Sequence, residues 1–384
     1  MRWSRLLPLV ALGALGWACT SDHDVLAKQK PGTGGSGGAA GAAGAAGSGA
    51  GPGDAGQDVD VEPPGPSVLT LMHGVVDAER VGFCFAKVVN GVAAPLTGSP
   101  VPSGGLHYGG ALSLAAISGI DLVADDLQPV VIAASQGDLT TKGCQALADE
   151  AAALSVADAG VDAAVDGGIA DASADAEVEA GPPPEPPAVR AGGLPALPAG
   201  TLASDKSILL VAAGCFGAPG FVDPLDNVVC GQGYAPDQPT LAPVLVQMSR
   251  IKKSDRLGLA VVNASVAGSA ITVRSVGPEV AALPDVTIAV NVGVGAISPK
   301  PPNFGATTAA LGFSQGDPSL DVSASNNVTA SVSVPWKNAV APAGTGEPKD
   351  GETYAIVMLG PQVNVAVTKW WNPVGISVVT TDPQ

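Results

Sequence analysis

Hydrolytic chemistry needs a base, and the chain offers three histidines, His23, His73 and His107. His73 ends the apolar run Val68-Leu-Thr-Leu-Met-His73. A ring in that place acts either as a general base or as a hydrogen-bond partner for a turn carbonyl. His107 stands beside Tyr108 in Pro102-Ser-Gly-Gly-Leu-His-Tyr-Gly109, a stretch that reads as a Gly-rich loop, while His23 falls in a low-complexity region. His73 and His107 are therefore the candidate ligand-binding histidines. Gly34-Gly-Ser36-Gly-Gly38 has the spelling of a nucleophile elbow. That chemistry requires a strained strand-to-helix turn with apolar flanks, which a glycine tract does not supply. The folded stretches contain no phosphate-binding loop, no His-Glu-x-x-His and no dinucleotide fingerprint, so neither a catalytic set nor a cofactor is expected. Trp370-Trp371 is an aromatic pair able to stack on a sugar or to fill a core. Asp223-Pro-Leu-Asp226-Asn227 reads as a turn rather than a cation site.

The five cysteines divide into one near the start, Cys19, and four in the body, Cys84, Cys144, Cys215 and Cys230. Four cysteines in an oxidising compartment allow two disulfides in three connectivities. The sequence favours Cys84 with Cys144 and Cys215 with Cys230. The second bond closes a loop near 15 residues, for which chain entropy assigns about 3 kcal/mol. No Cys-x-x-Cys pair exists and no histidine lies within a few residues of any of these four cysteines, so no metal site is expected.

Cys19 follows Met1-Arg-Trp-Ser-Arg5 and an apolar run from Leu6 to Ala18. That run is about a dozen residues, too short for a spanning helix of roughly 20. Two arginines, a short apolar core and small residues before a cysteine spell an export signal. Lipoprotein processing resembles a Leu, two small residues and then the lipidated cysteine. Here Leu15 stands one place early and Trp17 interrupts the small pair, so simple cleavage after Ala18 is the competing expectation. Acylation at Cys19 would hold the chain firmly at a membrane, since each buried CH₂ contributes about 0.8 kcal/mol. Thr20 in place of Asp resembles outer-membrane sorting.

The formal net charge is −17, and −19 once Arg2 and Arg5 are removed with a signal spanning residues 1–18. Such an acid excess argues against nucleic acid and anionic membrane surfaces as partners, because both demand cationic contacts. Aromatics make up only 4% while hydrophobic residues reach 46%, which fits low-complexity linkers interleaved with valine-rich folded segments.

Those segments predict an all-β fold of tandem immunoglobulin-like β-sandwiches joined by disordered Gly/Ala-rich and acidic linkers. Residues 19–66 are expected to be a lipid-anchored flexible tether. A first sandwich spans 67–250 with an acidic insertion at 149–190, and a second spans 256–384. Strands are predicted at Ser67–His73, Arg80–Val89, Ile117–Ala134, Ser207–Ala213, Leu241–Met248, Leu257–Asn263, Ala270–Arg274 and Val286–Val292. Further strands fall at Asn327–Val334, Thr353–Leu359, Val363–Lys369 and Gly375–Thr380, several alternating with period two. Lys142–Leu154 carries Cys144, Leu147 and Ala151 on one face and predicts a short helix. The Asp158, Asp162, Asp166 repeat lacks the alternating ligands and glycine turn of a calcium loop and reads as solvated linker.

Two segments share a pattern: Val68-Leu-Thr-Leu-Met-His73-Gly-Val-Val-Asp77-Ala78 and Leu257-Gly-Leu-Ala-Val-Val-Asn263-Ala-Ser265. The pattern resembles the repeat of a bacterial secreted β-sandwich family of unknown function, whose copies begin Val-x-Val-Val-His/Asn and continue Ala-Ser-Pro-Asp-Ala-Pro. Asp350-Gly-Glu-Thr-Tyr354 is similar to that family's Gly-x-x-Tyr strand. The chain departs from the pattern at Gly74-Val-Val and at Val266-Ala-Gly. The resemblance implies a fold and an exported location, but no chemistry. The expected function is a surface-anchored, non-enzymatic lipoprotein of the bacterial outer membrane. It would reach the membrane through its lipid and bind or scaffold an envelope protein or polysaccharide. The alternative is an extracellular hydrolase or carbohydrate-processing protein with an atypical site around His73 and His107.

Overall fold

A strand with one wet face alternates polar and apolar residues, yet Val68-Leu-Thr-Leu-Met and Ser207-Ile-Leu-Leu-Val-Ala-Ala carry almost no polar side chain. The computed structural model gives the reason: β1 (Val68–Val75) and β8 (Ser207–Gly214) pair in parallel and are buried along their whole length. The structure describes residues 65–158, 189–202, 206–217, 229–231, 233–235, 239–266, 268–279, 283–325, 327–361, 363 and 372–381. Strands make up 47% and helices 11%, an all-β architecture of packed sheets.

The first half contributes β2 (Arg80–Val89), β3 (Val92–Ala93), β4 (Val101–His107), β5 (Ala111–Leu114), β6 (Leu127–Ala133), β7 (Arg190–Gly193) and β9 (Ala242–Met248). Sheet 1 runs β5-β1-β8-β9, and sheet 2 runs β3-β2-β6-β7 with β4 also on β2. The second half contributes β10 (Leu257–Asn263), β11 (Ile271–Val276), β12 (Val286–Val292), β13 (Ile297–Ala306), β14 (Ser319–Ala324), β15 (Asn327–Pro335), β16 (Thr353–Leu359) and β17 (Gly375–Thr380). Sheet 3 runs β13-β10-β16-β17, and sheet 4 runs β12-β11-β14-β15. No strand pairing among the described residues crosses the linker between Met248 and Leu257.

Side-chain alternation places three cores between four layers. Leu69, Leu71, Ile208 and Leu210 of sheet 1 meet Val81, Phe83, Phe85 and Val131 of sheet 2. The opposite face of sheet 1, with Met72, Leu209, Val211 and Val246, meets Val262, Ala355, Val357 and Val379 of sheet 3. Leu259, Val261, Ile356 and Val378 on the far side of sheet 3 meet Val273, Leu320, Val322 and the buried Trp336. The layers therefore stack in the order 2-1-3-4, and both central sheets are covered on both faces. That double burial explains their unbroken apolar sequence.

The two halves repeat. β10, β11, β12, β13, β14, β15, β16 and β17 occupy the places of β1, β2, β4, β5, β6, β7, β8 and β9, including the parallel pairing of first and penultimate strands. Gly214 at the end of β8 and Gly360 just after β16 both adopt positive φ, +97° and +88°. In each, an added Cβ would fall within 3.0 Å of neighbouring atoms, the Thr240 carbonyl oxygen in one and the Tyr108 hydroxyl in the other, so glycine is needed twice for one reason. The first half adds α1 (Gln136–Thr141) and α2 (Cys144–Asp158) between β6 and β7. Ser135 caps α1 by accepting from the Asp138 N–H. Leu139, Cys144, Leu147 and Ala151 cover the outer face of sheet 2 around Ile132.

Several sequence expectations need correction. Pro102–Gly109 is not a loop: residues 101–107 form β4 and place His107 at its end. The strand expected from Ile117 begins only at Leu127, because Asp121 Oδ1 accepts from the Val123 and Ala124 N–H groups and turns the chain. The acidic insertion was expected to start at Asp149, yet α2 continues to Asp158 through an alanine-rich stretch favourable to helix. β13 escaped prediction because it contains Pro299, Pro301 and Pro302, tolerated on the edge of sheet 3 where a missing N–H is harmless. Cys19, the tether up to residue 64, residues 159–188, Asp223 and Asp226, and Trp370-Trp371 with most of Val363–Lys369 lie outside the described residues. Among the described residues no helix is long and apolar enough to cross a membrane.

Candidate functional site

His73 sits in β1, where the strand pairs with Gly109 and Gly110 through its N–H and C=O. Its side chain is fully buried. The Val75 N–H donates to Nδ1 at 3.1 Å, which fixes the proton on Nε2, and Nε2 donates to the Ala78 carbonyl at 3.0 Å. The Tyr108 ring meets the imidazole edge-on at 5.7 Å. Burial pushes the imidazole down to about pH 3, against smaller opposing contributions from the Ala78 and Glu79 backbone and with a small push in the same direction from His107. Both ring nitrogens are thus engaged in closing a turn. The repeat confirms the role by chemistry: Asn263 in β10 accepts from the Ser265 N–H and donates to the Ser269 and Val292 carbonyls. Asn263 also takes the same backbone partners, Gly295 and Ala296, as His73 takes in Gly109 and Gly110.

His107 lies apart from this turn in environment, exposed at the end of β4, where it pairs with Arg80 in register. Tyr108 turns inward, and its hydroxyl is buried without a hydrogen-bond partner among the described residues. Desolvation raises its pKa far above the ordinary phenol value. The structure does not bring His73 and His107 together as an acid-base pair facing solvent.

Asp77 shows how the turn after β1 is fixed. Its buried carboxylate accepts from the Phe216 and Gly217 N–H groups, both at 2.9 Å, and from Arg190 Nη1 at 2.9 Å. Arg190 also reaches the Asp77 carbonyl and lies over the Phe216 ring at 5.2 Å. Asn372, from the second sandwich, donates its backbone N–H to Val76 O and its Nδ2 to Ala78 O. The Ala78 carbonyl therefore binds His73 and Asn372 together. This polar cluster cross-links the two halves.

The disulfides are Cys84–Cys144, joining β2 to α2, and Cys215–Cys230, with Cα–Cα distances of 5.8 and 5.3 Å. Among the described residues no group of three His, Cys, Asp or Glu side chains could hold a metal.

Two open volumes border the inter-sandwich linker Ser249-Arg-Ile-Lys-Lys-Ser-Asp-Arg256. On one side Lys252 borders a cleft of about 210 Å³ with Lys349, Glu347, Glu352, Thr345 and Thr353. Tyr354 braces its floor by donating to Glu352 Oε2 and accepting from the Lys349 N–H. On the other side Lys253 borders a wider groove of about 550 Å³ with Val290, Pro299, Pro301, Pro302 and Phe304. Lys253 Nζ sits 4.9 Å from the Phe304 ring centre, and Val290 is 63% exposed. The linker thus carries a cationic ridge between a polar cleft and an apolar groove. Sequence reasoning passed over these residues. The signal was present in the spacing Arg-x-Lys-Lys-x-x-Arg within a strongly acidic chain.

No protein-family model and no curated protein matches this chain.

Proposed function

We propose that this is an exported, lipid-anchored and non-enzymatic protein of the bacterial envelope, outer-membrane rather than inner, that displays a rigid double sandwich as a binding or scaffolding module. The observation that carries the reading is the cysteine pattern. Four cysteines close two disulfides, the state favoured outside the cytoplasm, and the fifth, Cys19, follows an export-type start. The ridge at Lys252 and Lys253, flanked by its cleft and groove, is the surface offered to an acidic envelope polysaccharide or protein. His73 supports a binding rather than hydrolytic role, since both its nitrogens are spent on the turn and its burial disfavours protonation. The test is metabolic palmitate labelling of wild type and Cys19→Ser, together with a glycan array. Labelling should vanish in the variant, and labelling that persists overturns anchoring at Cys19.

A further inference from the structure

The smaller cleft beside the linker holds charges of both signs that do not pair with one another. Glu347, Lys349 and Glu352 border the same space of about 210 Å³. None of the three forms an ion pair with any described residue. Lys252 also borders the cleft but has contacts of its own. A lone anion entering this space is attracted by Lys349 and repelled by two carboxylates, and a lone cation meets the reverse. A molecule that carries both charges is attracted at both ends. The rest of the lining, Thr345, Gly346, Thr353 and Thr380, contains no Val, Leu, Ile, Met or aromatic side chain, so an apolar ligand finds nothing to cover. The volume is below the roughly 300 Å³ at which drug-sized sites begin, so the occupant is small.

The backbone that carries these charges is pinned on both sides. The Gly351 N–H donates to the Arg256 carbonyl at 2.8 Å, and the Glu352 carbonyl accepts from the Gly258 N–H at 2.9 Å. Thr345 Oγ1 donates to the Val378 carbonyl at 2.6 Å, which ties the start of the loop to β17. Tyr354, only 1% exposed, accepts from the Lys349 N–H at 3.1 Å and donates its hydroxyl to Glu352 Oε2. Glu352 Oε1 has no partner among the described residues. A ligand therefore meets carboxylate and ammonium already set apart, with little ordering left to oppose binding.

We propose that this cleft binds a free α-amino acid, its carboxylate facing Lys349 and its ammonium facing Glu352 and Glu347. A second ammonium suits the second carboxylate, so lysine should bind more tightly than glutamate. This ligand rests on the reading of the protein as a binding module and adds a small-molecule site to it.

The test titrates the full-length protein at low salt with L-lysine, with glutamate and with cadaverine, which is lysine without its carboxylate, using calorimetry or saturation-transfer NMR. Lysine should bind about 5-fold more tightly than cadaverine, the worth of one exposed ion pair. Lys349→Gln should abolish that difference by weakening lysine alone, and Glu352→Gln should weaken both ligands about 5-fold. Equal binding of lysine and cadaverine to wild type overturns the site, because it would leave only general attraction to an acidic chain. So does a preference for lysine that survives Lys349→Gln. A shared melting temperature checks that the variants fold, and Glu347→Gln, at an exposed position, replaces Glu352→Gln if loss of the Tyr354 brace unfolds it. A positive glycan array with silent amino-acid titrations sinks the cleft alone, whereas silence in both sinks the module reading with it.

Discussion

Replacing His73 by Asn puts into the first repeat the residue that the second repeat uses at the same place. Asn keeps an acceptor for the Val75 N–H but has no group titrating near neutrality. In the folded protein His73 is held near pH 3, against an ordinary value of 6.5. The unfolded chain therefore binds a proton that the folded chain refuses, and the stability contribution is whole above pH 6.5 and erodes as pH falls towards 3. Between pH 7 and pH 4 this one group should cost wild type about 3 kcal/mol. The variant should start lower at pH 7, by about 1 to 3 kcal/mol, because the ring's packing against Tyr108 and one hydrogen bond are lost. Guanidinium unfolding of both proteins at pH 7, 5 and 4 reads the difference directly, since the carboxylates titrate in both and cancel. The two stability curves should converge or cross by pH 4. Curves that stay parallel to within 1 kcal/mol would show that protons reach the folded ring, and the structural role assigned to His73 would fall.

Two further perturbations probe the frame. Leu209→Ala removes a fully buried side chain from the layer between sheets 1 and 3, and should cost about 3 kcal/mol and lower Tm by about 6 to 9 °C. The exposed Val290→Ala should leave calorimetric Tm within 1 °C, and an equally small shift for Leu209→Ala would mean that the sandwiches do not share a core. Asp77→Asn removes the buried carboxylate that Arg190 pairs with and weakens the hold on Phe216 and Gly217, at about 3 to 5 kcal/mol in urea unfolding. A loss under 1 kcal/mol would show that the cluster is not a structural clamp.

The division of labour between sequence and tertiary structure is visible in particular elements. Period-two and β-branched runs were enough to locate β2, β8, β10, β12, β15, β16 and β17 to within a residue or two, because a pleated strand imposes its pattern locally. The face of α2 with Cys144, Leu147 and Ala151 was legible for the same reason. β13 was not legible, since three prolines contradict strand propensity and only an edge position admits them. His73 could be placed at a turn from sequence, but its protonation state could not, because that depends on Tyr108 and on how completely the ring is enclosed.

The sequence alone determined the strand-rich composition, the cysteine arithmetic and the paired His73 and Asn263 motifs, all set by neighbours along the chain. Only the tertiary structure decided that sheets 1 and 3 lie face to face. An unbroken apolar strand states that both faces must be covered and is silent on what covers them. The same holds for the cationic ridge: Lys252 and Lys253 are adjacent in sequence, but the cleft and groove that flank them are built from residues 35 to 128 positions away.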